Sequence, residues 1–175
     1  RPDQQRLARM VADNVRRLQR IVDDVMEVAP AGTEPPQPID ARAVVAATAV
    51  DWARTNNLEL GPQSRLRTEL PEPPVGALFD ADQLRRVLVN LLDNALRHAG
   101  EAPGAVVLRL SARDEAHAVL QVLSDGPAIP PEIERHLFEP FFSTRSRGSG
   151  LGLYICRELC ERYGASIDFR PRPGA

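Results

Sequence analysis

The chain contains no lysine: all 22 of its basic residues are arginines, set against 24 acidic ones for a formal charge of −2 in 175 residues. So even a balance gives no global field to draw in nucleic acid, and the absence of Lys leaves any phosphate-gripping role to Arg. Cysteine is scarce. Cys156 and Cys160 are four apart in a helical pattern, which matches neither a disulfide framework nor a zinc site, so a reduced setting with two small residues on a buried helical face is the simpler reading. No apolar run approaches the ~20 residues needed to span a bilayer, and no targeting segment is recognised. Solenoid repeats and low-complexity tails are lacking too. What is present is 43% hydrophobic residues, enough to fill the core of one domain with an appendage.

The most informative stretch is 82–100, read as a helix. Leu84, Val87, Leu88, Leu91, Leu92 and Ala95 make one apolar stripe, while Asn90, Asn94 and Arg97 fall together on another face. Two amides a helical turn apart, ~6 Å along the axis, beside a guanidinium can hold a hydrated cation and the phosphate oxygens around it, since amide oxygen is a hard ligand and Arg grips phosphate. An amphipathic helix with a solvated polar edge is the alternative reading of the same residues.

Residues 3–29 carry Leu7, Val11, Leu18, Ile21, Val25 and Val28 at alternating steps of four and three, with Asn14 in the one polar slot. This predicts a long helix with a single stripe that needs a partner, most simply a second copy. Residues 30–38 hold four prolines and form a linker. Asp40 then reads as the N-cap of a helix to about Thr55. Strands are expected at 58–60, 65–70 and 75–79, then a hairpin at 105–112 and 118–123. Residues 124–130 form a turn that Gly126 and its neighbouring prolines favour. A short helix is expected at 131–137, an aromatic cluster at 138–142, a helix to about Tyr163 and a strand at 165–170. Between the last two helices, residues 143–153 form a Gly-Ser-Arg loop feeding a helix N-terminus, which is a natural site for an anion.

A two-amide helix, a Gly-bearing turn after a strand and a Gly-Ser-Arg loop on a helix N-terminus together describe a nucleotide site. In order and separation, residues 90–98, 124–130, 138–142 and 148–153 resemble the N box, first glycine box, F box and second glycine box of the ATP-binding catalytic domain of bacterial sensor histidine kinases. The superfamily includes DNA gyrase B, Hsp90 and MutL. Residues 3–29 resemble the second helix of the dimerisation and phosphotransfer hairpin. The resemblance implies an α+β fold, a two-layer sandwich with a mixed sheet of about five strands under three helices, preceded by one long N-terminal helix. It divides the chain into a hairpin fragment at 1–29, a linker at 30–38 and a catalytic domain at 39–175, truncated at its last strand.

Carried over by residue, the resemblance makes Asn94 the Mg2+ ligand with Asn90 as a possible second, and places Asn90 and Arg97 at catalytic positions. ATP is expected to meet Asn90, Asn94, Arg97, His98, Ser124, Asp125, Gly126, Ala128, Ile129, Arg145, Gly148, Ser149, Gly150, Leu151 and Gly152. Phe138, Phe141 and Phe142 are expected to anchor a lid at 138–150. The implied activity is transfer of the γ-phosphoryl of ATP to a histidine outside this chain, since His98, His117 and His136 all lie within the nucleotide-binding part, and from there to a response regulator. The implied partners are the acceptor helix, a second protomer and that regulator, with no direct nucleic acid. The setting is the bacterial cytoplasm, any membrane anchor being supplied by segments outside this chain. Residues 152–160 further resemble sensors that control type IV pilus genes.

Two positions depart from the pattern. Ser124 stands where the family has an Asp that accepts the adenine amino group, and Ala128 stands at the second glycine. These departures point to weaker or less selective base binding, and they also allow a degenerate domain that acts as a dimerisation or regulatory module.

Overall fold

The computed structural model describes residues 2–28, 34–142 and 150–171. Helix α1 (Pro2–Val28) leads, with Leu7, Val11, Leu18 and Val25 each more than half exposed. Its stripe is covered at one point, where Ile21 packs on the cluster formed by the last helix. After strand β1 (Gln37–Asp40) comes α2 (Ala41–Thr55), followed by β2 (Leu66–Glu69) and β3 (Gly76–Phe79). Helix α3 (Ala81–His98) is the stretch singled out above, and the hairpin β4 (Val106–Ala112) and β5 (Ala118–Ser124) follows it. Two helices close the described chain, the single turn α4 (Pro131–Glu134) and α5 (Gly152–Arg162). The fold is α+β.

Capping sets where the helices begin. The Asp40 carboxylate accepts from the backbone N–H groups of Arg42 at 3.0 Å and Ala43 at 3.4 Å, and the Asp80 carboxylate from Gln83 at 2.9 Å, which satisfies donors that the first turn leaves free. Asp40 also accepts from the Val75 N–H at 3.3 Å, so the same carboxylate ties the start of α2 to the loop before β3.

The five strands are shared between two sheets. Strand β2 pairs parallel with β4, and β4 antiparallel with β5, giving a mixed three-stranded sheet; β1 and β3 form a separate antiparallel ribbon. Strand β1 takes Gln37 and Pro38 out of the expected linker. Proline is tolerated there because, among the described residues, each strand of the ribbon pairs along one edge only. Two expected strands do not form. At 58–60 the chain is still closing α2, with Leu58 N–H donating to Ala53 O and Asn57 left-handed at φ 54°, and Leu60 is half exposed. Residues 165–170 keep an alternating pattern, Ile167 and Phe169 half-buried between exposed neighbours, yet find no strand to pair with among the described residues. The helix expected at 131–137 stops at Glu134.

Helices α2 and α3 lie on the mixed sheet and enclose the core. Val45, Trp52, Leu88, Leu92, Val106 and Leu108 meet there, and Leu88, Leu92 and Leu108 are fully buried. Burial of each such leucine contributes about 1.5–3 kcal/mol. A second cluster joins α3 to α5 through Val87, Leu151, Ile155, Cys156 and Leu159. Helix α3 is therefore held on both flanks, with its remaining polar strip left for other work.

Candidate functional site

At about 100° per residue, Asn90, Asn94 and Arg97 fall on one strip of α3, between the flank that packs on α2 and the flank that packs on α5. Asn90 and Asn94 are half-buried and Arg97 is exposed, its Nε donating to Asp93 O at 3.2 Å. Helix α5 begins beside this strip. A Cβ added to Gly152, its first residue, would lie 3.8 Å from Asn90 Oδ1. Leu151, just before it, is buried in the α3–α5 cluster and anchors the entry to the helix. A hard amide oxygen thus lies beside the start of a helix, an arrangement suited to a cation and its phosphate together.

At the C-terminal end of α3 the turn after β5 is clamped to the helix. The Ser124 hydroxyl donates to Ala95 O at 3.3 Å and accepts from the Gly126 N–H at 3.2 Å. The Asp125 carboxylate is exposed and accepts from the Gly100 N–H at 2.8 Å, so it serves to cap the segment leaving α3. Gly126 lies directly against the His98 carbonyl, and a Cβ there would come 2.9 Å from His98 C. His98 itself is exposed, as is Ala128, whereas Ile129 is half-buried.

Gly150 adopts φ +71°, and a Cβ on it would fall 2.5 Å from the carbonyl carbon of Phe141, so the chain on either side of 143–149 meets at a neck. Arg145, Gly148 and Ser149 lie outside the described residues. Of the three phenylalanines expected to anchor this region, Phe138 and Phe142 are half-buried, and Phe142 packs on His136 with ring centroids 5.5 Å apart. Phe141 is 61% exposed and left-handed at φ 63°, so its ring is not part of the packing among the described residues. A bulky residue in that conformation is strained.

Two contacts were not foreseen from the sequence. The Trp52 indole N–H on α2 donates to Asp93 Oδ1 on α3 at 2.7 Å. The Cys156 thiol on α5 donates to Val87 O on α3 at 3.6 Å. Burial, and then the neighbouring Cys160, push the Cys156 thiol up to about 12, with an opposing polar contact from the Asn90 side chain. The signal for the first lay in the chain's single tryptophan: a buried indole N–H finds an acceptor.

Comparison with known proteins gives a consistent answer. The family model described as "Histidine kinase-, DNA gyrase B-, and HSP90-like ATPase" matches residues 79–175. The chain is 36% identical to Sensor protein kinase PilS of Pseudomonas aeruginosa, over 98% of this chain and 32% of that protein. It is 31% identical to the sensory histidine kinase/phosphatase NtrB of Escherichia coli O157:H7, over 95% of this chain and 48% of that protein. The chain thus spans less than half the length of either relative. Among solved structures it resembles the mycobacterial sensor histidine kinase MprB, with a TM-score of 0.59, 31% identity, and coverage of 74% of this chain and 80% of that one. A likeness to the catalytic domain of histidine kinase ThkA gives a TM-score of 0.57 at 25% identity, over 74% of this chain and 82% of that one. With a family model covering over half of its length, this chain belongs to the histidine kinase-, DNA gyrase B- and HSP90-like ATPases and carries the ATP-binding domain of a sensor histidine kinase.

Proposed function

We propose that residues 37–175 bind Mg2+-ATP and present it to a histidine on another segment, for onward transfer to a response regulator, with 1–29 as a dimerisation helix and the expected linker shortened to 30–36 by β1. ATP brings the transferable phosphoryl group, and the work of the chain is to hold and neutralise it, which is what phosphoryl transfer asks of a protein. Asn94, with Asn90, offers amide oxygens to Mg2+; Arg97 and the first turn of α5 face the phosphate charge; Gly126 and Ile129 shape the base end beside His98. Arg145 and residues 148–149 are assigned to the phosphates on the strength of the family resemblance alone.

The observation that carries this reading is the approach of Gly152 to Asn90 Oδ1, with 3.8 Å to the Cβ that glycine lacks. It sets the start of α5 beside the amide strip of α3. The chain's own histidines support a phosphoacceptor located elsewhere. His117 pairs with Asp114 at 2.8 Å in the β4–β5 turn and His136 with Glu139 at 2.8 Å after α4, while His98 closes α3. Control of type IV pilus genes is part of the proposal only through residues 152–160.

Mg2+-ATP at a hundredfold excess over Kd should stabilise the chain by about 2.7 kcal/mol, and Asn94→Ala should abolish the rise in Tm. Radiolabel from [γ-32P]ATP should pass to a separately made acceptor hairpin only when this chain is added. A Tm indifferent to Mg2+-ATP, or an unlabelled hairpin at saturating nucleotide, would overturn the reading.

A further inference from the structure

Helix α3 offers its polar strip usefully only if its rotation about its own axis is fixed. Asn90, Arg97 and Asn94 all lie within about 100° to one side of Asp93, towards α5, while Asp93 itself borders the flank that packs on α2. An apolar stripe alone defines this rotation less sharply than a directional bond does, because hydrophobic burial is non-directional. At a side-chain radius of about 5–6 Å a 20° roll moves an amide oxygen by about 2 Å, and about 1 Å of misplacement is enough to cost a site much of its effect.

A directional bond sits where it can stop that roll. Trp52 is 4% exposed, its ring locked in the core among Val45, Ala49 and Leu88, so its N–H has a fixed direction. It donates to Asp93 Oδ1 at 2.7 Å, a charge-assisted bond between residues far apart in sequence. The Arg97 guanidinium donates to the backbone oxygen of the same Asp93, at 3.2 Å. On the opposite flank the Cys156 thiol bonds to Val87 O, so α3 is hooked from α2 and from α5.

From this geometry we infer that Trp52 and Asp93 are positioning residues for the nucleotide site, with Asp93 tied to α2 instead of serving as an anionic metal ligand or base, although it is the carboxylate next to Asn94. The inference rests on the Mg2+-ATP reading above. It separates two roles for Asp93 that differ in what an amide can replace. Asparagine keeps the acceptor oxygen for the indole, but supplies neither the charge of a metal ligand nor a base.

The test uses the whole chain and the variants Trp52→Phe, Asp93→Ala, Asp93→Asn and the double variant Trp52→Phe/Asp93→Ala. Without nucleotide, the indole N–H resonance should be protected from exchange in the parent and in Asp93→Asn, and exposed to it in Asp93→Ala. With nucleotide, Trp52→Phe and Asp93→Ala should each raise the Kd for Mg2+-ATP about 5- to 10-fold. The double variant should do no worse than either single one, and Asp93→Asn should stay within about twofold of the parent. Because phenylalanine keeps most of the packed ring, Trp52→Phe reports on the bond even if Asp93→Ala folds poorly. Parent-like binding by both single variants, or an Asp93→Asn as impaired as Asp93→Ala, would overturn the positioning role. A parent that fails to respond to Mg2+-ATP while its indole proton stays protected would instead bring down the nucleotide reading, and the role assigned to the bond with it.

Discussion

The backbone of Gly126 rests on the carbonyl of His98, at the point where the turn after β5 crosses the end of α3. Any side chain at 126 would overlap backbone, which cannot rotate away. Gly126→Ala should therefore cost about 1–3 kcal/mol, read as a lower urea midpoint at unchanged m. Gly150→Ala should cost at least as much, since its φ of +71° adds conformational strain to an overlap with Phe141 backbone. Gly76, with open space around it and no such φ, should accept alanine without measurable loss.

Ser124 bears on base selectivity. Its hydroxyl already donates to Ala95 O and accepts from the Gly126 N–H. Ser124→Asp supplies the acceptor that the family resemblance implies at this position, and a recovered charged hydrogen bond is worth about 1–3 kcal/mol. Calorimetric titration should show the variant binding ATP more tightly, with a larger preference for ATP over GTP. Equally tight ATP binding by parent and variant would refute the idea.

The two thiols make stability depend on pH at the alkaline end. Burial, then Cys160, push Cys156 from 9.0 up to about 12; burial, then Glu161, push Cys160 up to about 11. The folded chain holds these protons to higher pH than the unfolded chain. Their contribution is thus complete below pH 9 and is lost as pH rises through 11 and 12. Urea midpoints should fall more steeply over this range in the parent than in Cys156→Ala/Cys160→Ala. At pH 8 both thiols should resist alkylation until the chain unfolds.

Helix α1 exposes 62% of Leu7 and 61% of Leu18 along one stripe, more than a stable single helix leaves bare. Leu18→Asp should shift sedimentation towards the monomer while leaving the Tm of the catalytic domain unchanged. An unaltered sedimentation coefficient would argue against self-association through this face.

Much of the architecture was legible because it follows from local rules. Leu84, Leu88, Leu92 and Ala95 recur at helical spacing, Asp40 stands at a helix start, and 105–112 with 118–123 are β-rich runs around a short turn, so α1, α2, α3, α5 and the hairpin appear close to where they were expected. The strands were harder. Residues 165–170 have the right alternation, yet a strand exists only when another strand is free beside it. Strand β1 was hidden by Pro38, which reads as linker until β3 supplies a partner edge.

The residues of the site divide along the same line. That Asn90, Asn94 and Arg97 share a face of α3, and that a glycine opens α5, follows from helical period and composition, since both are set by neighbours within a few positions. That Gly152 meets Asn90, that Asp93 turns to Trp52, that Asp125 caps Gly100 and that the Ser124 hydroxyl is already bonded were decided only by packing. These contacts join segments distant in the chain. Their directions depend on how α2, α3 and α5 roll against one another, which is a property of the filled core and not of any local stretch.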